Sequence, residues 1–392
     1  MTLRFRLGLF VTWGIFTCGL LGAQSRNLDQ SFQAALADYN AAHFPQAASK
    51  LEALVAQLPN NFDVHELLGL VYSAESLDGK ATEHLQKAVS LKPASAAARA
   101  NLAANLVRRK KLDLAEVQFV KAAELEPNNF DTNHNLGELY IQRGKLGQAL
   151  VALAKAQRIN PSSYDNGYDL ARAYLLTGQM TQARETISSL IAEKNTAELH
   201  NLLAEVEEKE GKFVAAANQY ETAAHMEPSE SNLFDWGSEL LVHRTLDPSV
   251  EVFKKATELY PKSARLAVGL GMALYARGNY EDAVKSLLRA ADLNPSDPGC
   301  YLFLSRAYDS SPNQADEVMK RFRRYAQLQP RNARALYYYA MSSWKGKRMQ
   351  QTDEDLSEIA RLLKSSIALD EKFPEAHLQL GNLYSDQRQY AV

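Results

Sequence analysis

The chain has 392 residues, with 44 Lys and Arg against 46 Asp and Glu and a formal net charge of −2. So even a balance argues against a nucleic-acid partner. Two cysteines, Cys18 and Cys300, are too few for a disulfide framework or a thiolate metal cluster.

Arg4 and Arg6 precede an uncharged apolar run from Leu7 to Gly22, and Ala23 offers a small residue before Gln24. This succession reads as a secretory signal peptide over 1–23. The alternative is a retained membrane anchor, since 7–25 carries no charge and is just long enough to span a bilayer. Cleavage leaves Cys300 alone, and the chain has no Asn-x-Ser/Thr acceptor. The expected location is therefore the bacterial periplasm or the outside of the cell, or the inner membrane if the anchor is retained.

From Ser31 to Asn61, Ala35, Tyr39, Phe44, Ala47 and Leu51 keep an irregular helical rhythm. Residues 24–61 read as a degenerate first unit of an array, because a terminal repeat meets solvent on one side. A regular series follows. Pro59, Pro93, Pro127 and Pro161 lie 34 residues apart; the next intervals are 67 to Pro228, 33 to Pro261, 34 to Pro295 and 35 to Pro330. The long interval is two periods with one proline missing, near Asn195.

Each period predicts two helices. Leu68-Gly69 is followed by Tyr72, Ala81, Leu85, Ala88 and Pro93; later periods give Leu136-Gly137, Tyr140, Ala149, Leu153, Ala156 and Pro161. Leu68 and Tyr72 share one helix face, and Ala81, Leu85 and Ala88 mark a second helix. The small residue at Gly69, Ala103, Gly137 and Ala171 allows close approach of that second helix. Gly144, Gly178, Gly211 and Gly278 fall between the two, where a left-handed turn residue is wanted. Proline ends the second helix, and Asn128, Ser162, Ser229 and Ser296 behind it are expected to help start the next.

Several stretches depart from the pattern. Glu205, Glu207, Glu208 and Glu210 read as a solvated charged face. The basic run Lys320–Arg324 spreads its charges around a helix. Residues 346–355 are expected to be a loop insertion between helices Ala333–Lys345 and Leu356–Leu369. Pro374–Ser385 forms a first helix, and 374–392 is expected to be an incomplete final repeat, as of a fragment or of an array capped from elsewhere.

These letters resemble the tetratricopeptide repeat family over roughly residues 28–392. The family's opening Trp is absent; that place holds His65, Arg99, Asn133, Gly167 and His200. The resemblance implies an all-α fold, a right-handed superhelical solenoid of about ten stacked antiparallel helix pairs, spanning 62–373 after the degenerate unit. It also implies a concave groove lined by first helices. The lining falls on the two residues before the signature Leu and on those two and five beyond it. The groove candidates are then Asn101, Asn135, Tyr168 and Arg172 toward the N-terminus. Toward the C-terminus they are Tyr275, Phe303, Tyr337, Tyr338, Met341 and Trp344. An amide such as Asn101 suits a peptide backbone, and equally suits a bond to a neighbouring helix. The aromatic set suits a partner site, and equally suits packing on the next helix or the 346–355 loop.

No catalytic constellation is present. The histidines are scattered without a His-x-x-x-His pair, so no metal site and no cofactor are expected. The expected function is a non-catalytic scaffold of the bacterial cell envelope that holds a protein or peptide in its groove. The alternative is an accessory or regulatory region of an enzyme or of a secretion or polysaccharide-export machine. Its active domain would lie on another chain or beyond residue 392. No nucleic-acid partner is expected, and membrane contact is expected only through an uncleaved N-terminal segment.

Overall fold

The computed structural model describes residues 23–310, 314–346 and 352–386. Residues 1–22, expected to belong to a signal peptide or anchor, and residues 311–313 and 387–392 lie outside that range. Among the described residues there are 21 helices and no strand. They divide into two compact units, one up to Asn195 and one from Thr196.

The first unit pairs α1 (Ala23–Asn40) with α2 (Phe44–Gln57), α3 (Phe62–Ala74) with α4 (Asp78–Leu91), and α5 (Ala96–Arg108) with α6 (Leu112–Leu125). It continues with α7 (Phe130–Gln142) and α8 (Leu146–Ile159), then α9 (Tyr164–Leu176) and α10 (Met180–Glu193). The second unit pairs α11 (Ala197–Lys209) with α12 (Phe213–Met226), α13 (Glu230–Val242) with α14 (Leu246–Leu259), and α15 (Ala264–Arg277) with α16 (Tyr280–Leu293). It ends with α17 (Pro298–Ser310) and α18 (Ala315–Leu328), α19 (Ala333–Gly346) and α20 (Asp353–Leu369), and α21 (Pro374–Asp386). Consecutive helices pack on one another within each unit. This is the all-α solenoid expected, and each hairpin completes its core only by stacking on its neighbours.

Close approach inside a hairpin rests on a small residue facing a large one. A Cβ added to Gly69 would lie 2.6 Å from Leu85 Cγ, and one added to Gly137 would lie 2.5 Å from Leu153 Cγ. Leu85 and Leu153 are fully buried, as are Ala81, Ala115, Ala149 and Ala183. Gly381 holds the same register in α21, yet an added Cβ there would meet nothing within 4 Å.

The intra-repeat turn closes by hydrogen bonds across a left-handed residue. At Gly144 (φ 68), Lys145 N–H donates to Tyr140 O at 2.8 Å and Gly144 N–H to Ile141 O at 3.0 Å. This Schellman arrangement satisfies the last carbonyls of the first helix. Lys110 (φ 58) and Arg244 (φ 58) adopt the same conformation without being glycine, at a cost of about 1 kcal/mol each.

Entry into the first helices differs from the expectation in one detail. The capping side chains are Asn61, Ser95, Asn129, Ser163, Thr196, Ser229 and Ser263, each accepting a backbone N–H of the first turn. Asn128 and Ser162 are thus one residue too early, and after Pro295 it is Asp297, not Ser296, that accepts the Gly299 N–H at 2.9 Å. The turn containing the proline needs one more residue before helical geometry begins: Asn129 N–H first bonds back to Glu126 O at 3.2 Å. After Pro228 the turn is one residue shorter, so Ser229 is itself the cap. The same shortening between Glu193 and Ala197 removes one residue from the 67-residue interval.

The proline does more than stop a helix. Its carbonyl lies in the turn with no helical partner, and a side chain six residues on supplies one. His65 Nε2 donates to Pro59 O at 3.0 Å, Arg99 Nε to Pro93 O at 2.8 Å, Asn133 Nδ2 to Pro127 O at 2.9 Å and Tyr301 hydroxyl to Pro295 O at 3.1 Å. These donors occupy the place of the missing tryptophan. Where that place is Leu233 or Ala267, another residue serves: Tyr260 hydroxyl reaches Pro228 O at 2.9 Å and Arg289 reaches Pro261 O at 2.7 Å.

Two further expectations are corrected. Glu207 is buried beside Lys212, so the glutamate cluster is not uniformly solvated. The expected 346–355 loop is shorter at both ends, because Gly346 belongs to α19 and α20 begins at Asp353. Thr352 and Asp355 form a capping box that starts α20 three residues before Leu356. Residues 347–351 lie outside the described range.

Gly137→Ala is expected to lower stability by roughly 1–3 kcal/mol through overpacking against Leu153. Gly381→Ala, at the same register, is expected to be neutral or stabilising by up to about 1 kcal/mol. Thermal unfolding followed by circular dichroism separates the two, and equal losses would contradict the packing argument. Lys110→Gly is expected to raise stability by roughly 0.5–1 kcal/mol by relieving the left-handed turn, read as a higher midpoint in the same measurement.

Candidate functional site

The predicted groove residues fall on first helices in both units, and each unit presents a different chemistry. In the first unit Asn101 (α5) and Asn135 (α7) are each 4% exposed. Asn101 Nδ2 donates to Glu66 Oε1 on α3 at 3.4 Å, so its amide is already engaged across one repeat boundary. Asn135 Oδ1 is buried and accepts no hydrogen bond among the described residues. Tyr168 and Arg172 on α9 are half-buried. Burial, reinforced by the Asp63 carboxylate, pushes the Glu66 carboxyl up to about 7, while the Asn101 amide offsets part of the rise.

In the second unit Tyr337, Tyr338, Met341 and Trp344 on α19 all line one cavity of about 630 Å³. Ser305, Tyr308 and Asp309 on α17 form the wall before it, and Gln379, Asn382 and Ser385 on α21 the wall after it; Phe322 of α18 also reaches it. Tyr275 and Phe303 do not line this cavity. Tyr275 lies 5.5 Å from the Tyr280 ring, and Arg306 lies over Phe303 at 5.8 Å.

The aromatic set packs on neighbouring helices and also faces the cavity. Tyr338 packs on Phe322 at 5.5 Å and Tyr337 on Phe373 at 5.0 Å, while both keep a side toward the cavity. Tyr339 belongs to the helix packing alone: Arg323 Nε donates to its hydroxyl at 2.8 Å. Burial raises the Tyr337 phenol to about 12, with the Glu375 and Asp309 carboxylates adding to it, so it remains a neutral donor.

Lys345 also lines the cavity. Its Nζ bonds Asp309 Oδ1 at 2.9 Å and Asp309 O at 3.0 Å, and lies over the Tyr308 ring at 5.2 Å. Tyr308 is 3% exposed, and its hydroxyl is buried with no hydrogen-bond partner among the described residues. A buried hydroxyl without a partner is costly, and in a site it marks where a ligand or water atom belongs.

The cavity residues of α21 are not among the sequence candidates, although they follow the groove offsets. Taking Leu380 as the signature position, the offsets of one before and of two and five beyond select Gln379, Asn382 and Ser385. On α19 the same offsets from Tyr339 give Tyr338, Met341 and Trp344.

The arrangement is that of a helical-repeat interaction scaffold. Family models described as tetratricopeptide repeat match residues 32–96, 119–151, 140–206 and 234–298. The chain belongs to the tetratricopeptide repeat family, and its role is protein–protein interaction. Among solved structures it is similar to the C-terminal part of a repeat protein of this family from Cytophaga hutchinsonii, with 15% identity, a TM-score of 0.50, and coverage of 62% of this chain and 97% of that one. It is also similar to a tetratricopeptide repeat protein from Parabacteroides merdae, at 17% identity and a TM-score of 0.48 over 64% of this chain and 99% of that one. For PilF of Pseudomonas aeruginosa the values are 20%, 0.46, 54% and 96%. At these identities the likeness is one of fold. No curated protein matches.

Glu66 yields a pH prediction. Its folded carboxyl titrates near 7 against an ordinary value of 4.5. The folded state therefore keeps a proton that the unfolded state has lost. The associated stability is complete below about pH 4.5 and is lost as pH rises through about 7. Glu66→Gln keeps an acceptor for Asn101 and removes the titration. It is expected to gain on the parent chain between pH 5 and 8, reaching roughly 2 kcal/mol at pH 8. A difference in unfolding midpoint that stays constant over that range contradicts the assignment.

Proposed function

We propose that the chain is a non-catalytic scaffold that holds an extended peptide segment of a partner protein, with the α17–α19–α21 cavity as its anchoring pocket. The observation that carries this reading is the convergence of Tyr308, Tyr337, Tyr338, Met341 and Trp344 on one cavity of about 630 Å³. That volume suits one or two large side chains, and buried aromatic anchors of this kind supply most of the energy of an interface. Gln379 and Asn382 add amides, which pair with a peptide backbone as both donor and acceptor. The Tyr308 hydroxyl offers a further bond. Asp309 is already neutralised by Lys345, so the pocket favours an apolar or aromatic side chain over a charged one.

The pattern of residues 1–23 supports placing this scaffold in the bacterial envelope, either released or anchored. A second reading, an accessory region of a larger export or enzymatic machine, shares the same pocket and differs only in what the partner does.

Peptides selected on the full chain from a random-sequence library provide the test. Tyr337→Ala and Trp344→Ala are expected to weaken the selected peptides by roughly 10–100-fold, corresponding to about 1.5–3 kcal/mol. Exposed Val214→Ala on α12 is expected to leave affinity unchanged. Fluorescence anisotropy gives the affinities and circular dichroism checks that each variant is folded. Folded Tyr337 and Trp344 variants with parental affinity would sink the pocket assignment.

A further inference from the structure

A second cluster, in the first unit, is unrelated to the aromatic cavity. His134 and Glu138 stand four residues apart on α7 and therefore share a helix face. Asp169 on α9 comes one repeat later, at the position that Asn135 holds in its own repeat. One donor atom from each of the three lies within 4.8 Å of the others, and His134 Nε2 is 4.0 Å from Asp169 Oδ2.

The imidazole is oriented by its other nitrogen. Asn166, fully buried, donates from Nδ2 to Leu153 O at 3.1 Å and to Gln157 Oε1 at 2.7 Å. Its Oδ1 is thereby left to accept, and it lies 3.2 Å from His134 Nδ1. With Nδ1 donating to that oxygen, Nε2, which faces Asp169 Oδ2, is the nitrogen able to ligate. An imidazole fixed by a bond from its far nitrogen to a carbonyl oxygen is the usual support of a metal-ligating histidine. His134 itself is only 5% exposed.

A second observation points to a ligand. Glu138 Oε2 is buried and has no hydrogen-bond partner among the described residues. The Glu138 and Asp169 carboxylates and His134 Nε2 thus converge on one point.

We propose that His134 Nε2, one Glu138 carboxylate oxygen and one Asp169 carboxylate oxygen form a binding site for a divalent transition-metal cation such as Zn²⁺. Tetrahedral coordination with bonds of about 2.0–2.1 Å sets the donors roughly 3.3 Å apart. Small side-chain rotations of Glu138 and Asp169 reach that spacing. A mixed imidazole and carboxylate set favours Zn²⁺ over Mg²⁺ or Ca²⁺, which prefer oxygen ligands alone. Two carboxylates balance the ion's charge. Three protein ligands leave a fourth position for water or for an oxygen of a bound partner. Asn135 and Asp169 belong to the predicted groove row, so the ion would extend that row with a Lewis acid.

Isothermal titration of the tag-free, chelator-treated full chain with Zn²⁺ tests the site. One ion per chain is expected, with Mg²⁺ failing to compete. Glu138→Gln and Asp169→Asn, close in shape to the parent side chains, are expected to weaken Zn²⁺ by about tenfold or more, at least the effect that supporting residues alone have on a metal site. Absence of binding to the parent chain overturns the proposal, as does undiminished binding to the folded double variant, which would place the ion elsewhere, for example at the His65–His84 pair. A double variant that is more stable than the parent while the parent binds no Zn²⁺ would identify the cluster as a shared-proton site, and that too overturns it.

Discussion

The contact on which this molecule depends is that of a glycine or alanine on a first helix with a large residue on its partner helix. Gly69 against Leu85 and Gly137 against Leu153 leave no room for even one more carbon. The close approach turns two helices into a thin hairpin with too little core of its own. Burial must then come from the next hairpin, and repetition follows. The stack also sets the first helices side by side, which is why a residue at one offset from the signature Leu finds its equivalents in adjacent repeats on a shared surface.

The proline series belongs to the same logic at the other end of each hairpin. A proline stops the second helix and also leaves its own carbonyl in a turn without a backbone partner. His65, Arg99, Asn133 and Tyr301 resolve this with four different donors at one position. The position requires a hydrogen-bond donor that can reach six residues back; it does not require tryptophan. Departures from the 34-residue interval likewise have a local cause, since the 33- and 67-residue intervals coincide with turns one residue shorter.

The fold was legible because its determinants are periodic. Leu-Gly pairs, alanine stripes and prolines recur in register, and the structure places them in the contacts that their sizes imply. The cap positions were misread by one residue because the length of the turn after proline is set by backbone hydrogen bonding, which leaves no mark in side-chain pattern. The cavity was half legible. Tyr337, Tyr338, Met341 and Trp344 stand out as an aromatic run, but their neighbours Gln379, Asn382 and Tyr308 are ordinary letters made significant by stacking. His134, Glu138 and Asp169 were illegible for a related reason. A search for His-x-x-x-His passes over a histidine and a glutamate four residues apart whose third member lies on the next repeat.

Packing letters and surface letters therefore obey different rules within one helix. In α19 the signature position Tyr339 is committed to Arg323 and Glu358, while Tyr338, one residue away, divides its ring between Phe322 and the cavity. In α7 Leu136 and Leu139 close the core, while His134, Asn135 and Glu138 interleave with them and carry the polar chemistry. A helix of this kind can exchange its surface set without disturbing the stack, because the two sets occupy different offsets. The first unit has used that freedom for amides, carboxylates and an oriented imidazole, and the second for aromatic rings and a methionine. Chemistry is thus assigned to a unit by residues that the repeat period leaves unconstrained, and a reading of function has to begin where the period has nothing to say.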